Sequence, residues 1–350
     1  MPSRLVKFGL PDASAWHLPT LDTPVPPSPF ENEWLTKIFN ASMNVTTPLT
    51  IAIVYFSSVH FINPIVKNRQ LAKYRQKNPN EKSDEEPKRL AAAPYAIARS
   101  PLFKVFVLLH NIFLCVYSVW TFYGMTSSIF NTMDLFKGDI LPSLYPTLYA
   151  ENYTFKNFEL FFQSICDSKQ GIFSRILTSE GHHNLEIFGW WFYISKFYEV
   201  IDTIVILLKG RPSSLLQSYH HAGAMMCMWA GIRFQSPPIW IFVVFNSFIH
   251  SLMYFYFSLS CLHIRVPTLF KRALTSLQIT QFVVGGSIAI LHSFIWIIDT
   301  SEIVSGDNMK LISCISTPDQ ALPILINVAY LTPLTALFAA FYIESYLKRK

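Results

Sequence analysis

Three ionisable side chains, Lys196, Glu199 and Asp202, stand three residues apart inside an apolar run over 187–208, and Thr203 follows. Those offsets put the four in one slanting stripe on a single helix face. An ionised group at a bilayer centre costs about 2.5–3.5 kcal/mol, so three cost roughly 8–10 kcal/mol, about what the apolar residues of one span return at ~0.3–0.6 kcal/mol each. Such a helix cannot turn its charges to lipid. They must face a protein interior or a wet cavity, where intramembrane charge marks a functional site. Lys196 and Glu199 can pair, which lowers the desolvation cost.

The next three apolar runs each add a polar stripe. Gln217, His220 and His221 share a face within 215–232. Asn246, His250 and Tyr254 recur every four residues within 239–262, and Thr275, Gln278 and Gln281 every three within 274–298. A lone intramembrane His or Asn, such as His292 or Asn327, serves well as interhelical glue. Lys196, Glu199, Asp202, Gln217, His220, His221 and His250 together are too costly for that role. The set holds imidazoles, carboxylates and amides, with no evident Ser or Cys nucleophile. Neutral imidazole acts as base or nucleophile near pH 7. A His pair beside carboxylates also suits a metal, but a di-iron oxygenase needs repeated histidine boxes. Here His17, His182, His183 and His263 fall outside or at the edge of the apolar runs.

The elements that position these stripes follow from composition. The chain has 350 residues, 51% apolar, 15% aromatic and 14% charged, against about 25% charged in soluble domains. Seven apolar runs are long enough to span a bilayer: 49–66, 102–123, 187–208, 215–232, 239–262, 274–298 and 321–343. Pro323 and Pro333 are expected to kink the last. The reading is an all-α polytopic membrane protein, a bundle of seven transmembrane helices over 49–347. A Pro-rich arm, 1–48, precedes it and a basic tail, 348–350, follows. The arm is expected to be extended or weakly ordered. Residues 157–166 read as a short amphipathic or re-entrant piece. No removable signal peptide is evident.

Lys and Arg concentrate in the loop over 67–104, the turns at Lys209–Arg211 and Arg265–Arg272, and the tail. In a seven-span chain all four lie on one side, which the positive-inside rule makes cytosolic. The N-terminus is then lumenal or outside. The sequons at Asn40, Asn44 and Asn152 fall on that same non-cytosolic side. So do Cys166 and Cys314, left open as a pair or as free thiols. The other cysteines show no metal or redox spacing.

Four motifs now carry a family resemblance. Lys196-Phe197-Tyr198-Glu199-Val200-Ile201-Asp202-Thr203 resembles the KxxExxDT motif of the very-long-chain fatty acid elongases, the ELO family of 3-ketoacyl-CoA synthases. Gln217-Ser218-Tyr219-His220-His221 resembles the HxxHH box, and Asn246 to Tyr254 resembles NxxxHxxMY. Thr275 to Phe282 resembles TxxQxxQF. The motifs occur in family order over about 90 residues. Gln217 replaces the first box histidine, as in some family members from lower eukaryotes acting on polyunsaturated chains. It removes one proton-shuttling group.

The resemblance implies condensation of a long-chain acyl-CoA with malonyl-CoA to a 3-ketoacyl-CoA two carbons longer, with an acyl-histidine intermediate and an acyl tunnel between the spans. His220 would attack the thioester, His221 orient the reacting groups, and His250 serve as acid, base or oxyanion donor. Lys196 would compensate anionic charge, with Glu199 holding it, and Asp202 would fix a histidine tautomer. Asn246 and Gln281 would donate to the thioester oxygen, and Gln217, Tyr254, Gln278 and Thr203 would line the substrate. Lys209, Arg211, Arg265, Lys271 and Arg272 would rim the site and hold CoA phosphates. No metal or cofactor is expected beyond the two CoA substrates. The expected partners are membrane lipid, other enzymes of the elongation cycle (ketoacyl reductase, dehydratase, enoyl reductase) and a second copy of the chain, but not nucleic acid. The expected location is the endoplasmic reticulum membrane. A seven-span receptor and a di-iron oxygenase or desaturase remain the competing readings.

Overall fold

The apolar runs fold as helices, and a small sheet closes one end of them. The computed structural model describes residues 5–20, 23–79, 90–146, 154–174, 184–301 and 310–348. The sequon Asn152, the loop cations Lys82, Lys88 and Arg89, the tail residues Arg349 and Lys350, and His182 and His183 lie outside the described residues.

The main helices are α1 (Glu33–Met43), α2 (Thr46–Lys77), α3 (Pro101–Leu135), α4 (Asn157–Cys166), α5 (Leu185–Tyr198) and α6 (Val200–Leu208). They continue with α7 (Leu215–Arg233), α8 (Ile239–Cys261), α9 (Thr268–Leu291) and α10 (Pro318–Tyr342). Among the described residues five stretches are long and apolar enough to cross a membrane, namely Thr46–Lys77, Pro101–Leu144, Ile239–Cys261, Thr268–Phe294 and Pro318–Leu347. The chain is thus a helical, polytopic membrane protein. The third apolar run is helical as α5 and α6, broken at Glu199, and the fourth as the 19-residue α7 with its polar stripe; neither is among the five. Their charges and histidines take both below the apolar profile of a free-standing span. The helix of α10 runs through both Pro323 and Pro333.

The sixth apolar run does not stay helical to its end. Helix α9 stops at Leu291, and Ile295–Ile298 becomes strand β2. β2 pairs antiparallel with β1 (Val6–Phe8) on one side and β3 (Leu311–Ser313) on the other. The β-branched, aromatic run Ile-Trp-Ile-Ile suits a buried strand, and hydropathy alone cannot tell such a strand from the end of a helix. The same sheet corrects the expectation for the N-terminal arm. Leu5 and Val6 are buried, and the arm is docked on the bundle rather than loose.

Helix α1 ends inside the core, where its last carbonyls need donors. Trp190 and Tyr193 of α5 donate to the Ser42 hydroxyl and carbonyl (3.0 and 2.9 Å), and Trp229 of α7 donates to Met43 O (2.9 Å). At this end Cys166, closing α4, forms a disulfide with Cys314, just after β3. Beside it Asp167 accepts from the Lys169 and Gln170 amides, Thr300 and Gln163. Burial still pushes its carboxyl above the usual range.

The opposite, basic end is built by α2. Asn63 of α2 exchanges two hydrogen bonds with Ser213 (2.9 and 2.8 Å), and Gln70 donates to Gly210 O (3.0 Å). The Ala93 amide also donates to Gly210 O (2.9 Å), and Lys73 to Ala92 O (3.0 Å). The turn after α6 and the strap around Ala93 are therefore fixed together. Gly210 has φ +76°, and a Cβ there would lie 2.5 Å from Ala93 O. Gly210→Ala is expected to cost about 1–3 kcal/mol through the left-handed backbone and this contact. A lower unfolding midpoint of the detergent-solubilised protein checks it; an unchanged midpoint shows that the strap does not depend on this close approach.

Candidate active site

The break between α5 and α6 sits on the charged stripe itself. Glu199 has φ −61° and ψ −13°, and the Asp202 amide bonds to Glu199 O three residues back. Lys196 Nζ donates to Glu199 Oε1 (2.7 Å) and to Asn246 Oδ1 (3.2 Å). It also lies 4.0 Å from the centre of the Phe192 ring. Lys196 and Glu199 are 3% and 2% exposed, so this is a fully buried ion pair whose partners leave neither charge isolated. Asn246 reaches it from the π-helical turn Phe242–Asn246 at the head of α8. A single-turn π-bulge of this kind re-aims a side chain.

Glu199 also faces two histidines. His250 Nδ1 of α8 is 3.6 Å from Oε1, and His221 Nδ1 of α7 is 3.9 Å from Oε2. Among the described residues neither His221 Nδ1 nor Glu199 Oε2 has a hydrogen-bond partner, although both are buried and 3.9 Å apart. A closure of about 1 Å would join them at ordinary hydrogen-bond length. The Gln217 amide bonds His221 Nε2 (2.7 Å), so the residue in the altered box position grips the box from one turn below. His220 and His221 have ring centres 5.4 Å apart, and His220 and His250 6.4 Å apart.

Asp202 does not pair with a box histidine. It accepts from His110 Nε2 of α3 (2.8 Å) and from Tyr254 OH of α8 (2.6 Å), and Tyr198 OH contacts His110 Nδ1 (3.3 Å). The histidine tautomer that Asp202 holds is therefore that of His110. Thr203 is buried against Tyr55 OH (2.8 Å) and ties α6 to α2, and the Tyr55 ring meets His221 edge-on (6.4 Å); Thr203 itself does not line the cavity. The Gln281 carbonyl oxygen is buried without a partner among the described residues, while the Gln278 amide reaches toward Met253 Sδ (3.8 Å).

A cavity of about 1010 Å³ opens between the helices at the basic end. His220, His221, His250, Asp202, His110, Gln217 and Gln278 all line it. Val107, Val205, Phe257, Leu337 and Phe338 give it an apolar wall. Of the expected rim cations, Lys209 and Arg211 line the cavity, and Lys104 joins them. Lys271 stands over the Tyr256 ring (5.5 Å), and Arg272 donates to Tyr342 OH (2.6 Å); neither lines it. Among the described residues no group of three His, Cys, Asp or Glu side chains is set to hold a metal ion.

Three side chains here escaped the sequence reading: His110, Lys104 and Tyr330. His110 is the one histidine in the run 102–123, and that was its only signal. Lys104 was counted only as part of a basic loop. Tyr330 of α10, 2.9 Å from His220 Nδ1, has Asn327 one turn before it as a polar signal, and a lone intramembrane Asn reads as glue.

The family model described as ELO: GNS1/SUR4 family matches residues 40–350. Fatty acid elongase sre1 of Dictyostelium discoideum is 33% identical over 138 residues, 38% of this chain and 50% of the relative. Very long chain fatty acid elongase 3 of Homo sapiens is 33% identical over 112 residues, 32% and 41% of the two chains. Long chain fatty acid elongase 1 of Caenorhabditis elegans is 31% identical over 161 residues, 46% and 51%. The matched part of the chain spans about half the length of these curated relatives. No solved structure matches it.

The ion pair gives a direct test of the cluster's energetics. Glu199→Ala leaves Lys196 buried and unpaired, and a loss of about 3–5 kcal/mol is expected. Lys196→Met combined with Glu199→Leu is expected to recover most of that loss. Unfolding midpoints of the single and double variants give the coupling; strictly additive losses would show that the two charges do not act as a pair.

Proposed function

The chain belongs to the ELO family, and from that premise we propose that it is a fatty acid elongase condensing a long-chain acyl-CoA with malonyl-CoA. The products are a 3-ketoacyl-CoA two carbons longer, CO2 and free CoA, with one proton taken up. The observation that carries this reading is the buried cluster of His220, His221, His250, Glu199 and Lys196 at a cavity lined by Lys104, Lys209 and Arg211 near its basic end. Such a site suits a substrate that is anionic at one end and apolar at the other.

His220 attacks the thioester carbonyl, the C–S bond breaks, and CoA leaves as the thiol with the proton that the acylated imidazole gives up. Malonyl-CoA then loses CO2, and its enolate carbon takes the acyl group, freeing the imidazole, which takes up the one proton of the balance. His250 serves as acid or base, or donates to the oxyanion. Lys196, held by Glu199 and Asn246 one layer behind the imidazoles, compensates anionic charge on the malonyl group from a distance. The apolar wall accommodates the acyl chain, where each buried CH2 contributes about 0.8 kcal/mol. Gln217 in the box favours polyunsaturated chains.

We further propose seven spans, adding α5–α6 and α7 to the five long apolar helices, in the endoplasmic reticulum membrane. The basic end with the C-terminus faces the cytosol. The disulfide and the exposed sequon residues Asn40 and Asn44 support a lumenal position for the other end.

Membranes carrying the wild-type protein should incorporate radiolabelled malonyl-CoA into one or more of a panel of acyl-CoAs. In His220→Ala the rate should fall at least about 100-fold. No incorporation with any acyl-CoA sinks the enzyme reading, and full activity in His220→Ala sinks the nucleophile. For the topology, protease added to sealed microsomes should remove a C-terminal tag and spare an N-terminal one. The opposite pattern reverses the orientation.

A further inference from the structure

Tyr330 touches one residue twice. Its hydroxyl donates to the His220 backbone carbonyl (2.9 Å) and lies 2.9 Å from His220 Nδ1. A phenol has one proton, and a carbonyl can only accept. With that proton on the carbonyl, the second contact is a hydrogen bond only when Nδ1–H donates to the phenol oxygen. A neutral imidazole carries one N–H, so Nε2 is then left with its lone pair. His220 lines the cavity, and its Nε2 has no hydrogen-bond partner among the described residues.

The surroundings hold the phenol in place. Tyr219 stacks on the Tyr330 ring (5.6 Å, 24°) and donates to Tyr330 O (3.3 Å). Phe338, two turns further along α10, meets the His220 ring edge-on (6.3 Å, 90°). Gly223, one turn after His220, provides the space: a Cβ there would lie 2.2 Å from the Tyr330 ring. A sequence with any other residue at 223 would have to move the phenol.

We infer that Tyr330 is a positioning residue that fixes His220 as the Nδ1–H tautomer and presents Nε2 to the cavity as the attacking atom. This rests on the reading of His220 as the nucleophile. Tyr330 acts on attack and not on substrate capture. Without the phenol oxygen the proton redistributes between the two nitrogens and the ring turns more freely.

The test compares wild type, His220→Ala, Tyr330→Phe and Gly223→Ala, each purified and checked for a wild-type elution profile. Each is incubated with one acyl-CoA and no malonyl-CoA, and mass spectrometry follows the acyl adduct on the peptide spanning His220. Tyr330→Phe should form the adduct at least about tenfold more slowly, within the roughly 10⁴-fold cost of a misassigned histidine tautomer in a serine-protease triad. The KM for acyl-CoA should stay near wild type in the full reaction while kcat falls. Gly223→Ala should show the same split, and adding Tyr330→Phe to it should cost little more. Adduct on wild type with an unchanged rate in Tyr330→Phe overturns the role of Tyr330 and keeps His220. A raised KM with unchanged kcat also overturns it. No adduct at His220 in wild type, with condensation surviving His220→Ala, overturns both. If Tyr330→Phe does not fold, Gly223→Ala alone decides: a wild-type adduct rate there refutes the proposal.

Discussion

A buried ion pair is the constraint around which this bundle is built. Lys196 and Glu199 lie on one helix among apolar spans, and a lone charge there would be prohibitive. Two neighbouring helices supply groups toward them. The helix supplies the pairing offset, α8 supplies Asn246 and His250, and α7 supplies His221. The break at Glu199 is part of this solution. It separates α5 from α6, so that Glu199 and Asp202 need not share partners. Glu199 turns toward α7 and α8, while Asp202 reaches α3 and Tyr254. Two carboxylates three residues apart thereby serve two polar networks that face one cavity.

Much of this was legible because charge in an apolar run is unambiguous. That Lys196, Glu199, the box and His250 lie in one cluster was readable from cost and spacing. Spacing fails where it assigns a face without a partner. Thr203 has the same helical offset as the charged residues but bonds Tyr55 of α2 and does not line the cavity. Lys271 and Arg272 count as rim charge in sequence, yet neighbouring tyrosines hold them off the cavity. The partner of Asp202 was illegible for another reason. His110 is a single polar residue in an apolar span, and such residues are normally glue.

The fold shows a parallel limit. Hydropathy finds apolar runs but not the conformation at their ends, so Ile295–Ile298 reads as the last turn of a helix. What makes it a strand is its two partners, β1 about 290 residues earlier and β3 just after it. A three-residue strand in a Pro-rich arm has no periodicity to detect. The arm is held by a sheet closing one end of the bundle and by indole and phenol donors that finish α1. Both are tertiary effects that local propensity does not encode.

The placement of the cluster bears on why it can be charged at all. The cavity opens at the basic end, and the histidines and Asp202 line it. Lys196 and Glu199 do not line it; they sit behind His221 and His250, shielded by them. A field source one layer behind the imidazoles stays dry, and so acts on them through a low dielectric. It also keeps its geometry when a substrate enters, since its hydrogen bonds go to protein and not to solvent. Preorganised charge of this kind stabilises developing charge without reorganising during the reaction. In the proposed condensation negative charge appears first on the thioester oxygen and then on the malonyl enolate. A fixed carboxylate behind two adjustable imidazoles favours imidazoles that donate, and such donors can serve both stages. The buried pair thus acts as the frame for the proposed chemistry, and bond making belongs to the histidines in front of it.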